Sequence, residues 1–294
     1  MVLENAISPV KTQVLECIDA VRLWRRTATI QGERVGFVPT MGALHEGHLS
    51  LMRAARSECD RVVASIFVNP LQFAPHEDFG KYPRTFERDL ELMSQEGVDA
   101  VFYPNEKEIY PEGRESVTRV SPPVELADCL EGYFRPGFFV GVATVVAKLF
   151  NIVLPEAAFF GEKDYQQLLV VKRMVHDLNL PIQVTPVPTV REKDGLALSS
   201  RNVYLSEAER KLAPLLNGTL NFVKDAAQSG ELSLEAALEK GRKDLQAMDG
   251  IDLQYLEARH GETFQPAHEF ELPTVILLAA KLKGVRLIDN VVVR

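Results

Sequence analysis

Cysteine is scarce: Cys17, Cys59 and Cys129 are the only three in 294 residues, and no two form a C-x-x-C pair. This excludes a zinc cage of cysteines and argues against a disulfide framework, so a reducing compartment is expected. Long apolar runs are lacking too. The stretch 140–154, VGVATVVAKLFNIVL, is interrupted by Lys148 and Asn151 and is too short to span a bilayer. Positive charge is in deficit, with 33 Lys+Arg against 41 Asp+Glu and a formal net charge of −8. That balance speaks against a global grip on nucleic acid or on an anionic membrane. The opening MVLENAISPVKTQVLECIDA does not have the basic-then-apolar layout of a secretory signal, so a cytoplasmic location is the expectation. G-x-x-x-x-G-K-[ST] and G-x-G-x-x-G are both missing, which leaves neither a P-loop nor a simple dinucleotide fold supported. H-E-x-x-H is missing as well.

What is present is a soluble globular composition, 46% hydrophobic and 25% charged, long enough for one large domain or two ordinary ones. Short apolar runs alternate with helical patterns over the first two-thirds. Residues 34–40, 61–68, 98–104 and 182–190 read as strands, and AAFFGEKD as a short strand and turn. Helices are expected over 44–60, over 82–97 between Pro83 and Gly97, over 140–154 and over 164–180. This alternation implies an α/β fold: a Rossmann-like parallel sheet with helices on both faces. Ligands of such sheets sit beyond the carboxyl ends of the strands. After about residue 190 the texture changes to two helical stretches (206–228 and 232–248) and three strand-like runs, a smaller C-terminal α+β domain. The proline-punctuated TPVPTV places the boundary between domains 1–188 and 189–294.

The first strand–helix turn is PTMGALHEGHLSLM, residues 39–52. Gly42 and Gly47 let backbone approach a ligand. His45 and His48 share one face of the helix's first turn. Unpaired N–H groups and the positive dipole end are expected there, and both attract phosphate.

A strand followed by H-x-G-H at a helix start resembles the signature of the nucleotidyltransferase superfamily. The longer PTMGALHEGH, with IFVNPLQF (66–73), FFGEKDYQQL (159–168), GLALSSRN (195–202) and LIDN (287–290), resembles the pantothenate synthetase family specifically. The resemblance implies condensation of pantoate with β-alanine, using ATP and Mg²⁺ and releasing AMP and pyrophosphate through a pantoyl adenylate. It further implies a homodimer, with no nucleic-acid or membrane partner.

Residue by residue, the resemblance assigns ATP contacts to Met41, Gly42, Ala43, Leu44, His45, Glu46, Gly47 and His48, with His48 as proton donor and His45 beside it on the phosphates. It adds Gly161, Glu162, Lys163, Asp164, Val190, Leu198, Ser199, Ser200 and Arg201 to the nucleotide site. Chemically, Lys163 suits a point charge on phosphate, Arg201 a planar multi-donor clamp, and the serines hydroxyl donors. His45, His48, Lys163, Ser199 and Arg201 form the catalytic set. Gln72 and Gln167 match pantoate-binding positions, Gln72 adjoining the β-alanine site; a neutral amide can donate to a carboxylate and accept from a hydroxyl. Residues 133–201 carry 8 basic against 6 acidic side chains, a local reversal of the chain's acidity.

Asp89, in FERDLEL, is a weaker Mg²⁺ candidate and reads first as a surface helix charge, so the metal ligands stay open. Phe138, in RPGFFVGV, stands where the family usually has histidine. His176, His260, His268, Trp24 and Cys59 read as structural. Two other functions fit the bare motifs: a nucleotidyltransferase activating another small acid or a phosphate ester, and a catalytically silent ATP-binding regulator.

Overall fold

The structure is a computed structural model that describes residues 11–73 and 79–294. The first part of the segment read above for a secretion signal, residues 1–10, lies outside the described residues. Two compact units are distinguished. One runs to Gly161 and includes Val170–Val187; the other comprises Glu162–Leu169 and Pro188–Arg294.

The first unit is a six-stranded sheet of β1 (Gln13–Leu15), β2 (Val35–Thr40), β3 (Arg61–Ile66), β4 (Ala100–Phe102), β5 (Ala157–Gly161) and β6 (Gln183–Val187). Every pairing is parallel, in the order β1-β4-β3-β2-β5-β6. The inner strands β2, β3, β4 and β5 read as apolar runs because both faces are covered. Val35, Phe37 and Val38 have no exposed surface. Successive side chains point to opposite faces. Val38 joins Met52 and Ala55 of the helix Glu46–Glu58 and Met93 of the helix Phe86–Gln95. Phe37 instead meets Phe150 of the helix Phe138–Val153 edge-on, with centroids 6.3 Å apart. Phe159 and Phe160 repeat the alternation on β5. Burying each such aromatic contributes ~1.5–3 kcal/mol.

The chain builds outward from β2 in one direction through β3 and β4, and in the other through β5 and β6. The order therefore reverses between β2 and β5, whose carboxyl ends are Thr40 and Gly161.

The second unit has an antiparallel sheet, β7 (Ile251–His260), β8 (Thr274–Leu282) and β9 (Val285–Val293), in the order β7-β8-β9. Ile276, Leu278, Ala280 and Leu282 alternate along β8 and form one core with Leu216, Leu220 and Val223 of the helix Pro214–Gln228 and Leu238 and Leu245 of the helix Leu234–Gln246.

Several boundaries differ from the sequence pattern for identifiable reasons. The expected helix 206–228 is two helices, Glu207–Leu212 and Pro214–Gln228, because Pro214 lacks an N–H and opens the second at its first position. The helix expected from Pro83 begins at Phe86, and the strand expected to 190 stops at Val187, before Pro188. The pattern does not single out β1 or the helix Ile18–Gln31. Only Val21 and Ala28 of that helix are buried, while Leu23 and Ile30 lie exposed. Trp24 is half-buried on it. Cys59 is buried, and burial pushes its thiol pKa up. His176 is exposed beside Asp177, at 3.0 Å.

Candidate active site

The turn after β2 is shaped by two side chains. Thr40 Oγ1 donates to the Ser65 carbonyl (2.7 Å) and accepts from the Gly42 amide (3.1 Å). Gly42 and Ala43 then take left-handed backbone conformations, with φ of +82° and +52°. At Gly42 a Cβ would stand 3.1 Å from both Asp89 Oδ2 and Ile66 Cγ2, so glycine suits the position twice over.

Asp89 corrects the reading of a surface charge. It has no exposed surface. Its carboxylate accepts from the amides of Ala43 and Leu44, each at 2.9 Å, and from Thr85 Oγ1 at 3.1 Å. A buried carboxylate is tolerated only when its oxygens are hydrogen-bonded in this way. Its task is to hold the turn.

The H-x-x-H spacing is the spacing of a capping box, N-cap to N3. His45 caps the helix Glu46–Glu58 by accepting the Gly47 amide at Nδ1 (3.1 Å), and His48 Nδ1 faces the His45 amide at 3.4 Å. The rings lie 4.2 Å apart, tilted by 39°. An amide aimed at Nδ1 requires a lone pair there, so each neutral imidazole carries its proton on Nε2. The backbone thus favours the Nε2–H tautomer of both rings.

This arrangement narrows the expectation of free amides to a few positions of the turn. The N–H groups of Gly42, Ala43, Leu44, His45, Gly47, His48 and Leu49 all donate within the protein. The Leu44 side chain lies in the core and Glu46 pairs with Arg53, which leaves backbone as what those two residues can offer a ligand.

Gln72 ends the short 3₁₀ turn Pro70–Gln72 after β3. Its Oε1 accepts from Asn69 Nδ2 (3.2 Å), and its Nε2 lies 2.9 Å from Met41 Sδ, which brings Gln72 to the start of the H-x-G-H stretch. Asn69 is the node behind it. It is 1% exposed, donates also to the Gly141 carbonyl (3.1 Å), and accepts from the Leu71 amide (3.2 Å) and the Tyr110 hydroxyl (2.7 Å). Burial pushes the Tyr110 pKa well up, so its hydroxyl remains a donor. Sequence reasoning gave Asn69 no role, although an Asn ahead of Pro is itself a turn signal.

Gly141 packs its helix directly on this turn, and an added Cβ would overlap the Leu71 carbonyl. We expect Gly141→Ala to destabilise the protein by ~1–3 kcal/mol and, on the assignment of Gln72 to pantoate that the resemblance implies, to weaken pantoate binding by displacing Gln72. Thermal melts and a pantoate titration check both; an unchanged pantoate affinity refutes the second effect. Beside the same turn, Arg135 donates to the Gln72 carbonyl (3.1 Å) and stacks on Phe138 at 3.7 Å from the ring centroid. Phe138 therefore supports a cation by its face.

In the second unit, Glu162–Asp164 is a 3₁₀ turn that follows β5 directly. Lys163 Nζ is 3.8 Å from Asp164 Oδ2, and Glu162 is buried with its carboxylate paired to Arg294. Tyr165 donates to the Gly261 carbonyl at 2.8 Å. Gln167 is half-buried on the helix Tyr165–Asp177. Val190 accepts the Leu198 amide (3.0 Å) in a narrow antiparallel hairpin that includes the Arg191–Ala197 bridge. The hairpin leads to Ser199, whose hydroxyl accepts from the Arg201 amide at 3.3 Å and caps the turn Ser200–Tyr204. Leu198, Ser200 and Arg201 are half-buried. The structure thus brings together Met41–His48 and Gln72 within the first unit. Within the second it joins Glu162–Asp164 to the Val190–Arg201 hairpin through β9, as described below.

A parallel sheet that reverses order beside β2 is an α/β scaffold whose ligands sit at the carboxyl ends of the strands, and the imidazole-capped helix there carries the motif that resembles the nucleotidyltransferase signature. Comparison with known proteins narrows this. The chain belongs to the pantoate–β-alanine ligase family, whose model matches residues 13–292. It is 51% identical over 264 residues to a pantothenate synthetase of Caldicellulosiruptor saccharolyticus, covering 90% of this chain and 92% of that one. The crystal structure of pantothenate synthetase from Thermus thermophilus superposes with a TM-score of 0.89 at 48% identity, covering 95% of this chain and 99% of that one. The ligase of Francisella tularensis, solved complexed with beta-gamma ATP and beta-alanine, superposes at 0.78 with 37% identity, covering 96% and 97%.

Proposed function

We propose that this chain condenses pantoate with β-alanine to give pantothenate, AMP and pyrophosphate. Membership of the ligase family over nearly the whole chain carries this reading. The motif residues the chemistry needs are all present: His45, His48, Gln72, Lys163, Gln167, Ser199, Ser200 and Arg201.

The first step is attack of a pantoate carboxylate oxygen on the α-phosphorus of ATP, with pyrophosphate leaving. Its transition state gathers negative charge on phosphate oxygens, and preorganised donors lower that barrier. His45 and His48 supply fixed N–H donors. Lys163 supplies a compact charge and Arg201 a forked one, with Ser199 and Ser200 adding hydroxyls. Gln72 and Gln167 hold pantoate by donating to its carboxylate and accepting from its hydroxyls. In the second step the β-alanine amine attacks the acyl carbon of pantoyl adenylate and AMP departs. Asp164 is the ribose partner, and the C-terminal unit acts as a lid that keeps water from the adenylate.

ATP enters as its Mg²⁺ complex. Among the described residues no three His, Cys, Asp or Glu side chains cluster so as to hold an ion, and both Asp89 oxygens are engaged by the turn. A Mg²⁺ ion brought in on ATP would neutralise phosphate charge, and Asp89, whose carboxylate is engaged by the turn, would not be its ligand. No helix among the described residues is long and apolar enough to cross a membrane. A cytoplasmic homodimer that takes only small-molecule substrates completes the proposal.

Exchange of labelled pyrophosphate into ATP tests it. Exchange is expected with pantoate, and pantothenate appears once β-alanine is added. Exchange only with another acid would favour a different transferase. Nucleotide binding without exchange for any acid would leave a silent regulator.

A further inference from the structure

Two adjacent residues of β9, Asp289 and Asn290, reach both nucleotide segments of the second unit. Asn290 is 3% exposed, and its Nδ2 donates to the carbonyls of Glu162 and Lys163, each at 2.8 Å. An amide nitrogen has two protons, and here each finds one carbonyl. Aspartate at this position would turn oxygens toward oxygens, and serine would bring a single donor.

Asp289, 6% exposed, receives Arg191 through both guanidinium ends, at 2.6 and 2.9 Å. Such forked pairs fix orientation as well as distance. Arg191 donates further to the Gly195 carbonyl (3.0 Å) and to the Asn290 carbonyl (2.9 Å). It also forms the bridge with Ala197 that closes the hairpin leading into Ser199–Arg201. The Asn290 amide returns to Asp289 Oδ1 at 2.7 Å. The segment bearing Lys163 and the segment bearing Arg201 are therefore both anchored to one dipeptide.

We propose that Asp289–Asn290 is a positioning pair for adenylation: Asn290 sets the backbone that aims Lys163, and Asp289, through Arg191, sets the hairpin that delivers Ser199 and Arg201. Neither residue touches the reacting atoms. This inference rests on the assignment of Lys163 and Arg201 to the phosphates of ATP.

The test compares full-length wild type with Asn290→Asp and Asn290→Ser. Three quantities are measured: MgATP affinity by titration calorimetry, pantoate adenylation in single turnover, and aminolysis of supplied pantoyl adenylate by β-alanine. Adenylation is expected to fall ~10- to 10²-fold in Asn290→Asp and less in Asn290→Ser, on the scale of a misplacement of about 1 Å. Aminolysis should stay within about 2-fold, because Lys163 serves the departing pyrophosphate. Adding Lys163→Ala to Asn290→Ser should cost little beyond Lys163→Ala alone, since the two act through one contact. Equal losses in both half-reactions, or full additivity with Lys163→Ala, would mean a merely structural role and would overturn the pair. If Asn290→Asp does not fold, Asn290→Ser alone decides. A wild type that shows no pantoate-dependent adenylation sinks the proposed function instead. The pair is then judged on MgATP affinity, and an unchanged affinity in Asn290→Ser overturns it.

Discussion

Alanine in place of Lys163 should lower pantoyl-adenylate formation by at least ~10²-fold, the scale of losing one positioned charge-stabilising donor. Lys163 stands on the 3₁₀ turn directly after β5, at the strand end where the sheet order reverses. Its side chain is only 19% exposed and its carbonyl is fixed by Asn290. On the proposed assignment, a compact ammonium held this way would meet developing phosphate charge with little reorganisation. Arginine at 163 should restore part of the rate at most, because a planar fork does not replace a point charge within a tight turn. Rapid-quench measurement of a single turnover reads the chemical step directly. Near-normal adenylation in Lys163→Ala would remove Lys163 from the chemistry. Aminolysis of supplied adenylate should be spared.

The second large effect concerns Asp89. Asp89→Ala leaves the buried amide of Leu44, the half-buried amide of Ala43 and the half-buried Thr85 hydroxyl without their acceptor. Each buried polar group left unpaired costs ~1–3 kcal/mol, and the variant should lose about 3–5 kcal/mol in all. The first unit should then melt about 10 °C lower. MgATP affinity should fall by at least about 10-fold, because the turn presenting His45 and His48 loses its support. Asp89→Asn keeps one acceptor oxygen and should lie between wild type and alanine. Calorimetric melting with an ATP titration separates the two effects. A melting temperature within about 2 °C of wild type would show that Asp89 does not hold the turn.

What sequence reasoning could see depended on range. β2 and β3 were legible because a strand covered on both faces is apolar at every position, as in Val35, Phe37 and Val38. The helix Ile18–Gln31 was not, because exposed Leu23 and Ile30 blur its buried stripe of Val21 and Ala28. His45 and His48 stood out by spacing, yet their reciprocal capping exists only once the N-cap backbone is extended, at φ −140° and ψ 174°. Asp89 looked like a surface charge because its helix is rich in charge, F-E-R-D-L-E-L. Its partners lie on a turn 46 and 45 residues earlier, which no local pattern reports. The grip of Asn290 on Glu162 spans 128 residues, and LIDN was visible only as a matching string.

The internally paired amides of the H-x-G-H turn bear on what the site ignores. A small free anion is captured where several unpaired N–H groups converge on it, as at an open helix end or a backbone nest. Here Gly42 through His45, Gly47, His48 and Leu49 are already paired, so few amides of this turn are left to converge on orthophosphate or sulfate. An anion held by two imidazole edges gains enough only when base, ribose and the remaining phosphates arrive with it. On the proposed assignment, occupancy of this turn would be set by the whole nucleotide, and simple anions would compete little for it.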